Sequence, residues 1–276
     1  MKKFLYVLLA LLSFNVFATN LDNTVHNWGI AREKNHQTPK SDPLKFNITD
    51  YDAYYVGDIN EKIIYLTFDE GYEKGYTPAI LDVLKANDVP AIFFVTSPYV
   101  TSCPDLVRRM VEEGHIVANH TKSHKSMPQC ANDPNSFKHE IADLEKKYED
   151  IIGSPIPKLF RPPMGQYSQK SLAMTKDLGY QTLFWSFAYA DFDVNKQPDP
   201  TKAAKLISDN LHNGAILLLH AVSKTNTQIL DSVIKDAKAQ GYTFKLWPLE
   251  ANIEDSSSIE LLAPNLENNQ SVKQRP

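Results

Sequence analysis

A chain of 276 residues with 42% hydrophobic and 22% charged side chains has the make-up of an ordinary globular protein, long enough for one large domain or two small ones. Its formal charge is −4, and removing residues 1–18, which hold Lys2 and Lys3 but no acid, changes this to −4 − 2 = −6, which argues against a polyanion such as nucleic acid as partner. No repeat period is present.

The first residues, MKKFLYVLLALLSFNVFA, have a basic start at Lys2 and Lys3, an apolar centre from Phe4 to Phe14, and small-residue cleavage positions at Val16 and Ala18. This is the pattern of a secretory signal peptide ending at Ala18. Its apolar core is shorter than the roughly 20 residues a membrane span requires, and no later segment is a candidate span. The expectation is an exported monomer, periplasmic or extracellular, with no stable membrane span once the signal is cleaved. From Thr19 to Gly57 the chain is polar, interrupted by Pro39 and Pro43, and carries Trp28, Phe46, Tyr51, Tyr54 and Tyr55. It reads as an N-terminal arm, residues 19–57, packed on a single domain, residues 58–250. The only cysteines, Cys103 and Cys130, are an even pair in a chain read as exported, and a disulfide between them is expected to pin the loop beside His124.

Short apolar runs then alternate with helical stretches. Strands are expected at Ile63–Phe68, Ala91–Val95, Ile116–Ala118, Leu159–Phe160, Thr182–Trp185, Ala215–Leu219 and Thr243–Leu246. Helices are expected near Thr77–Ala86, Pro104–Glu113, Ser136–Ile151, Ser168–Leu178, Pro200–Asn210 and Thr225–Gln240, with Gly114, Gly153, Gly179 and Gly241 just past helix ends. Regular alternation implies an α/β fold whose parallel sheet is covered by helices, either open or closed as a barrel; periodicity does not separate the two. Residues 251–276 carry few apolar side chains and read as a disordered tail.

Polar residues follow the strands: Asp69 and Glu70 after the first, Asn119 and His120 after the third, Arg161 after the fourth, His220 after the sixth. In parallel α/β barrels that is the end where sites assemble. His120 and His124, four apart, would share one side of a helical turn and suit a divalent metal, with a carboxylate as third ligand. The two prolines of FRPPMG stiffen a loop that can hold Arg161 against a buried carboxylate and aim a backbone amide at developing negative charge. His220, ending an apolar strand, suits an acid or base role. His115, after a helix end, reads as structural, while His26, His36, His139 and His212 receive no role.

In chain order, TFDEG, NHTKSH, RPPMG, WSFAYADF and LLLH resemble the five motifs of the NodB-homology polysaccharide deacetylases, carbohydrate esterase family 4, over Asp58 to Glu250. The likeness is greatest to the δ-lactam-biosynthetic peptidoglycan de-N-acetylases of the PdaA type, through TFDEGYEKGYT, FWS with its acidic loop, LLHAVS, GYTFK and the arm elements NWG, Asp52–Tyr55 and VGD. What the resemblance implies is a distorted (β/α)7 barrel that removes N-acetyl groups from amino sugars of peptidoglycan, at N-acetylmuramic acid, with one divalent metal ion: zinc first, cobalt or manganese as alternatives. By the same resemblance Asp69 is the general base, Arg161 its tether, and His220 the general acid oriented by Asp191. The Met164 backbone amide is the oxyanion donor, Leu218 lines the acetate pocket, and Tyr72 joins the substrate-binding set. Glu70, His120 and His124 are the implied metal ligands. Two departures stand out: Glu70 replaces the family's usual second aspartate, and in WSFAYADF the pattern's first Asp is Ala188 and its Trp is Phe192. Two other readings are another deacetylase, chitin-directed or acting on O-acetyl esters, and a non-catalytic glycan-binding protein.

Overall fold

The computed structural model describes residues 21–249, so the expected signal peptide and the tail lie outside the described residues. Four short strands come first: β1 (His26–Asn27), β2 (Ile30–Ala31), β3 (Lys40–Ser41) and β4 (Ala53–Tyr54). The alternating part runs β5 (Ile63–Glu70), α1 (Thr77–Ala86), β6 (Ile92–Val95), α2 (Ser97–Ser102), α3 (Pro104–Glu112), β7 (Ile116–Asn119), α4 (Met127–Cys130), α5 (Pro134–Ile152) and β8 (Leu159–Phe160). It continues with β9 (Gln166–Tyr167), α6 (Gln169–Asp177), β10 (Gln181–Leu183), α7 (Pro200–Asp209), β11 (Ala215–His220), α8 (Lys224–Ala239) and β12 (Thr243–Phe244).

All eight residues of β5 are buried, which is why its sequence is a nearly unbroken apolar run rather than an alternation. It pairs in parallel with β11, from Ile64↔Ala215 to Asp69↔His220, and with β6, from Thr67↔Ile92 to Glu70↔Val95. From β6 the parallel order continues through β7, β8, β10 and β4, while β12 pairs the first residues of β5. The circuit closes where Phe187 bridges Leu217 of β11, supported by Leu218 N–H donating to Phe187 O at 2.8 Å. The result is a distorted (β/α)7 barrel.

Strand period sorts the side chains. Ile63 and Tyr65 join Ile92, Phe94, Ile216 and Trp247 in an inner cluster, whereas Ile64, Leu66 and Phe68 pack with Ile80, Leu84, Phe93, Leu217 and Leu230 beneath the helices. By that alternation Asp69 continues the inner row and Glu70 the outer row.

Residues 21–57 contribute to the sheet itself. β4 pairs β10, and two residues later Val56 bridges Ala215, so this segment fills the seam between β10 and β11. The backbones touch closely there: Gly57 N–H donates to Gly214 O at 2.8 Å, and a Cβ on Gly214 (φ 71°) would stand 2.7 Å from the Gly57 carbonyl carbon. Trp28 stacks on Phe184 at 4.3 Å and donates its indole N–H to Trp185 O at 2.9 Å.

Several expectations are corrected. The Cys103–Cys130 disulfide is not formed; both thiols are free. Cys103, between α2 and α3, packs on the helix-layer core, whereas Cys130 is buried in α4 among Met127, Phe137, Ile141 and Phe160. Helices α2 and α4 arise in stretches for which no helix was expected. The strand expected over Thr182–Trp185 is observed at Gln181–Leu183, with the Thr182 and Phe184 amides donating to Asp52 O and Tyr54 O (2.8 Å each) in its ladder with the β4 segment. His115 is structural as expected: it is buried, accepts the Ala91 amide at 3.2 Å and meets Phe93 edge to face. Among the described residues no helix is long and apolar enough to cross a membrane.

Candidate active site

Seven of the ten expected site residues, Asp69, Tyr72, His120, His124, Met164, Leu218 and His220, line one cleft of about 800 Å³ at the carboxyl ends of the strands. Trp185, Ala188, Tyr189 and Phe192 complete much of its wall. Arg161 and Asp191 lie behind it, fully buried. Glu70 does not line it.

Arg161 is seated by β8. Its guanidinium donates to Leu183 O (2.9 Å), Phe184 O (3.1 Å), Thr67 Oγ1 (2.8 Å) and Asp69 Oδ1 (2.8 Å), and lies 4.1 Å over the Phe94 ring. A buried cation with this many acceptors is a fixed point, and it fixes Asp69. Burial alone would raise the Asp69 pKa, but Arg161, His120 and His220 together outweigh it and hold the carboxyl below its usual range.

The second unit is built around β11. His220 Nδ1 donates to Asp191 Oδ1 (2.8 Å), and Asp191 Oδ2 accepts the His220 backbone N–H (2.8 Å) and Asn226 Nδ2 (2.6 Å). Burial lowers the His220 pKa, yet the hydrogen bond and charge of Asp191, aided by Asp69, raise it overall. Asn226, itself bonded by Tyr189 Oη, is a positioning residue that sequence reading missed, as is Thr67. Neither sits at a strand end, so nothing in sequence spacing singles them out.

The histidine pair is not on a helical turn, which corrects the spacing argument. His120 follows β7, and the next residues form a loop in which Thr121 (φ 73°) and His124 (φ 56°) are left-handed. Asn119 Oδ1 accepts the Thr121 amide, Thr121 Oγ1 accepts the His124 amide, and buried Glu140 grips Ser123 through both oxygens (2.9 and 2.6 Å). The imidazoles end up edge to face, 4.9 Å apart. His120 Nδ1 donates to Arg161 O (2.8 Å), which leaves its Nε2 lone pair toward Asp69 Oδ2 at 3.6 Å. Burial drives the His120 pKa down to about 4, so the ring is neutral.

Two neutral-type imidazoles beside an ionised carboxylate match the donor chemistry of a divalent ion. The expected third ligand does not. Glu70 is fully buried on the helix side, with Oε1 3.4 Å from Thr77 Oγ1 and Oε2 without a partner. Among the described residues no group of three His, Cys, Asp or Glu side chains stands ready to hold an ion. The donor types therefore fit at the histidines, with Asp69 rather than Glu70 as the nearest carboxylate.

Burial and neighbouring Glu73 push the Glu70 pKa well above its usual value. An acid whose folded pKa is raised stabilises the fold below its unfolded pKa and loses that contribution as pH rises toward the folded value. Glu70→Gln should therefore raise the melting temperature at pH 7 to 8 and leave binding of an added divalent ion at the histidine pair near wild type. A calorimetric scan with elemental analysis checks this; loss of bound metal would return Glu70 to the ligand set.

A family model described as polysaccharide deacetylase matches residues 57–183. The peptidoglycan-N-acetylmuramic acid deacetylase PdaA of Bacillus subtilis is 44% identical over 229 residues, covering 83% of this chain and 86% of that protein. The chain belongs to the polysaccharide deacetylase family. The solved structure of Bacillus subtilis PdaA, a family 4 carbohydrate esterase, superposes with a TM-score of 0.78 at 43% identity over 82% of this chain and 96% of that one. A peptidoglycan-N-acetylglucosamine deacetylase of Bacillus cereus is 33% identical over 188 residues, 67% of this chain and 86% of that protein. For a polysaccharide deacetylase, RPPMG has a local reason beyond its arginine. Met164 is left-handed (φ 60°, ψ 9°) and about half exposed on the cleft rim, a conformation costing roughly 1–3 kcal/mol that functional sites tend to hold. Gly165 (φ 62°) follows because a Cβ there would stand 2.7 Å from the Trp185 ring.

Proposed function

We propose that this chain is an exported, metal-dependent hydrolase that removes N-acetyl groups from peptidoglycan, at N-acetylmuramic acid residues. The observation that carries it is the register pair Asp69↔His220: adjacent strands bring an Arg161-held carboxylate and an Asp191-held imidazole to one cleft. The identity to PdaA supports the substrate.

Asp69, kept ionised by Arg161, takes the proton of the attacking water. His220, its pKa raised by Asp191, carries the proton that the departing sugar amine requires, since an amide nitrogen is otherwise too poor a leaving group. The rim position of Met164 suits its backbone N–H to hold the tetrahedral oxyanion. Leu218, on the inner row of β11 beside His220, gives the acetyl methyl an apolar seat. Tyr72 and Phe192, each at least half exposed, offer aromatic faces to the sugar ring. A divalent ion held by His120 and His124 would supply a Lewis acid for the acetyl carbonyl; zinc suits such a site, with cobalt or manganese as alternatives.

The assignment fixes the pH profile. His220 must be protonated, so activity falls as pH rises through its pKa, and that limb should lie above the ordinary histidine value of 6.5. Asp191→Asn removes the charge and leaves burial, which lowers the pKa. The alkaline limb of kcat/KM should then move to lower pH; an unmoved limb would show that another group is the acid. The substrate class is tested by acetate release from peptidoglycan glycan strands, chitooligosaccharides and acetylxylan. Release from the first above the other two is expected, release from acetylxylan alone would favour an ester hydrolase, and binding without release would favour a glycan-binding protein.

A further inference from the structure

Among the described residues no lysine or arginine lines the cleft, and the guanidinium behind Asp69 is spent on that carboxylate. One cation from another part of the chain reaches the edge of the cleft wall without itself lining the cleft. Arg32, just after β2, donates from Nη2 to Ala188 O at 2.7 Å and lies 5.4 Å over the Phe187 ring. Its side chain is exposed, and no carboxylate pairs with it among the described residues: neighbouring Glu33 is taken by Lys40 at 3.2 Å. Ala188, whose carbonyl seats the guanidinium, is a wall residue of the cleft. A single bond to a neutral carbonyl leaves the remaining N–H donors and the full charge of Arg32 unopposed.

We infer that Arg32 is a specificity residue that recognises a carboxylate on the acetylated sugar, so that the site prefers an acidic amino sugar to a neutral one. This rests on the proposed function and deepens it. In muramic acid the lactyl ether at C3 adjoins the N-acetyl group at C2, so its carboxylate lies a few bonds from the reacting amide. A planar guanidinium suits such a carboxylate bidentately. The alanine at 188 is part of the same device. A carboxylate at that position would neutralise Arg32 and repel an anionic ligand, whereas a methyl group does neither.

The experiment compares two substrates that differ by one charge: glycan strands with free lactyl carboxylates, and the same strands with those groups methyl-esterified. Wild type should favour the acid form in kcat/KM, by a margin that narrows as salt is raised, since an exposed charge is screened. Arg32→Ala should lower kcat/KM for the acid form about five- to tenfold, mainly through KM, and leave the ester unchanged. Ala188→Asp should erase the same preference, and Arg32→Lys should keep part of it. Equal loss on both substrates would mean that Arg32 only braces the loop, and would overturn the inference while leaving the deacetylase reading intact. No acetate from either substrate with wild type would overturn both.

Discussion

Asp69→Asn should reduce turnover by about 10² to 10⁴ while the protein stays folded. The asparagine oxygen can still accept from Arg161, and that guanidinium keeps Leu183 O, Phe184 O and Thr67 Oγ1 as acceptors, so the buried cation remains solvated by the protein. On the proposed mechanism, what is lost is a group able to take a proton from water beside the acetyl carbonyl. Acetate release and circular dichroism on the same preparation separate the two effects. Activity within a few-fold of wild type would move the base elsewhere.

The largest effect on stability is expected at the other end of that pair. Arg161→Met leaves Asp69 buried without its cation, and breaking a buried ion pair by removing one partner costs about 3–5 kcal/mol. The sign with pH follows from the same groups. The folded pKa of Asp69 is depressed below its ordinary 3.8, so the pair stabilises the fold above that value and loses its contribution as pH falls. The gap between wild type and Arg161→Met should therefore be widest near neutrality and shrink on acidification. Urea unfolding at two pH values measures it; a gap independent of pH would mean that the loss is one of packing and not of charge.

The sequence made the barrel legible because its strongest signals are local. An apolar run ending in acids is β5, and glycines close helices at 114, 153, 179 and 241. Long-range pairing was out of reach. Ala53 and Tyr54 fall in a short aromatic run read as part of the arm, and it is the seam between β10 and β11 that makes them a strand of the sheet. The cleft was legible for the same reason as the barrel: Asp69 and His220 lie at the carboxyl ends of β5 and β11, and His120 just past the end of β7. Glu70 was misplaced because adjacency in sequence implies opposite faces in a strand, and period two sends it to the helix layer with Ile64, Leu66 and Phe68. The histidine pair was found by spacing although its geometry comes from left-handed residues and from Glu140, seventeen positions beyond Ser123. Asn226 was invisible because its role depends on Asp191, thirty-five residues away.

The measurement that tests the account most directly is the stoichiometry of acetate and new amine on peptidoglycan glycan strands, with sugar analysis after hydrolysis. The account predicts one free amine per acetate, carried by muramic acid, from wild-type protein and almost none from Asp69→Asn. Acetate without amine, amines on glucosamine alone, or equal release by the variant would contradict it.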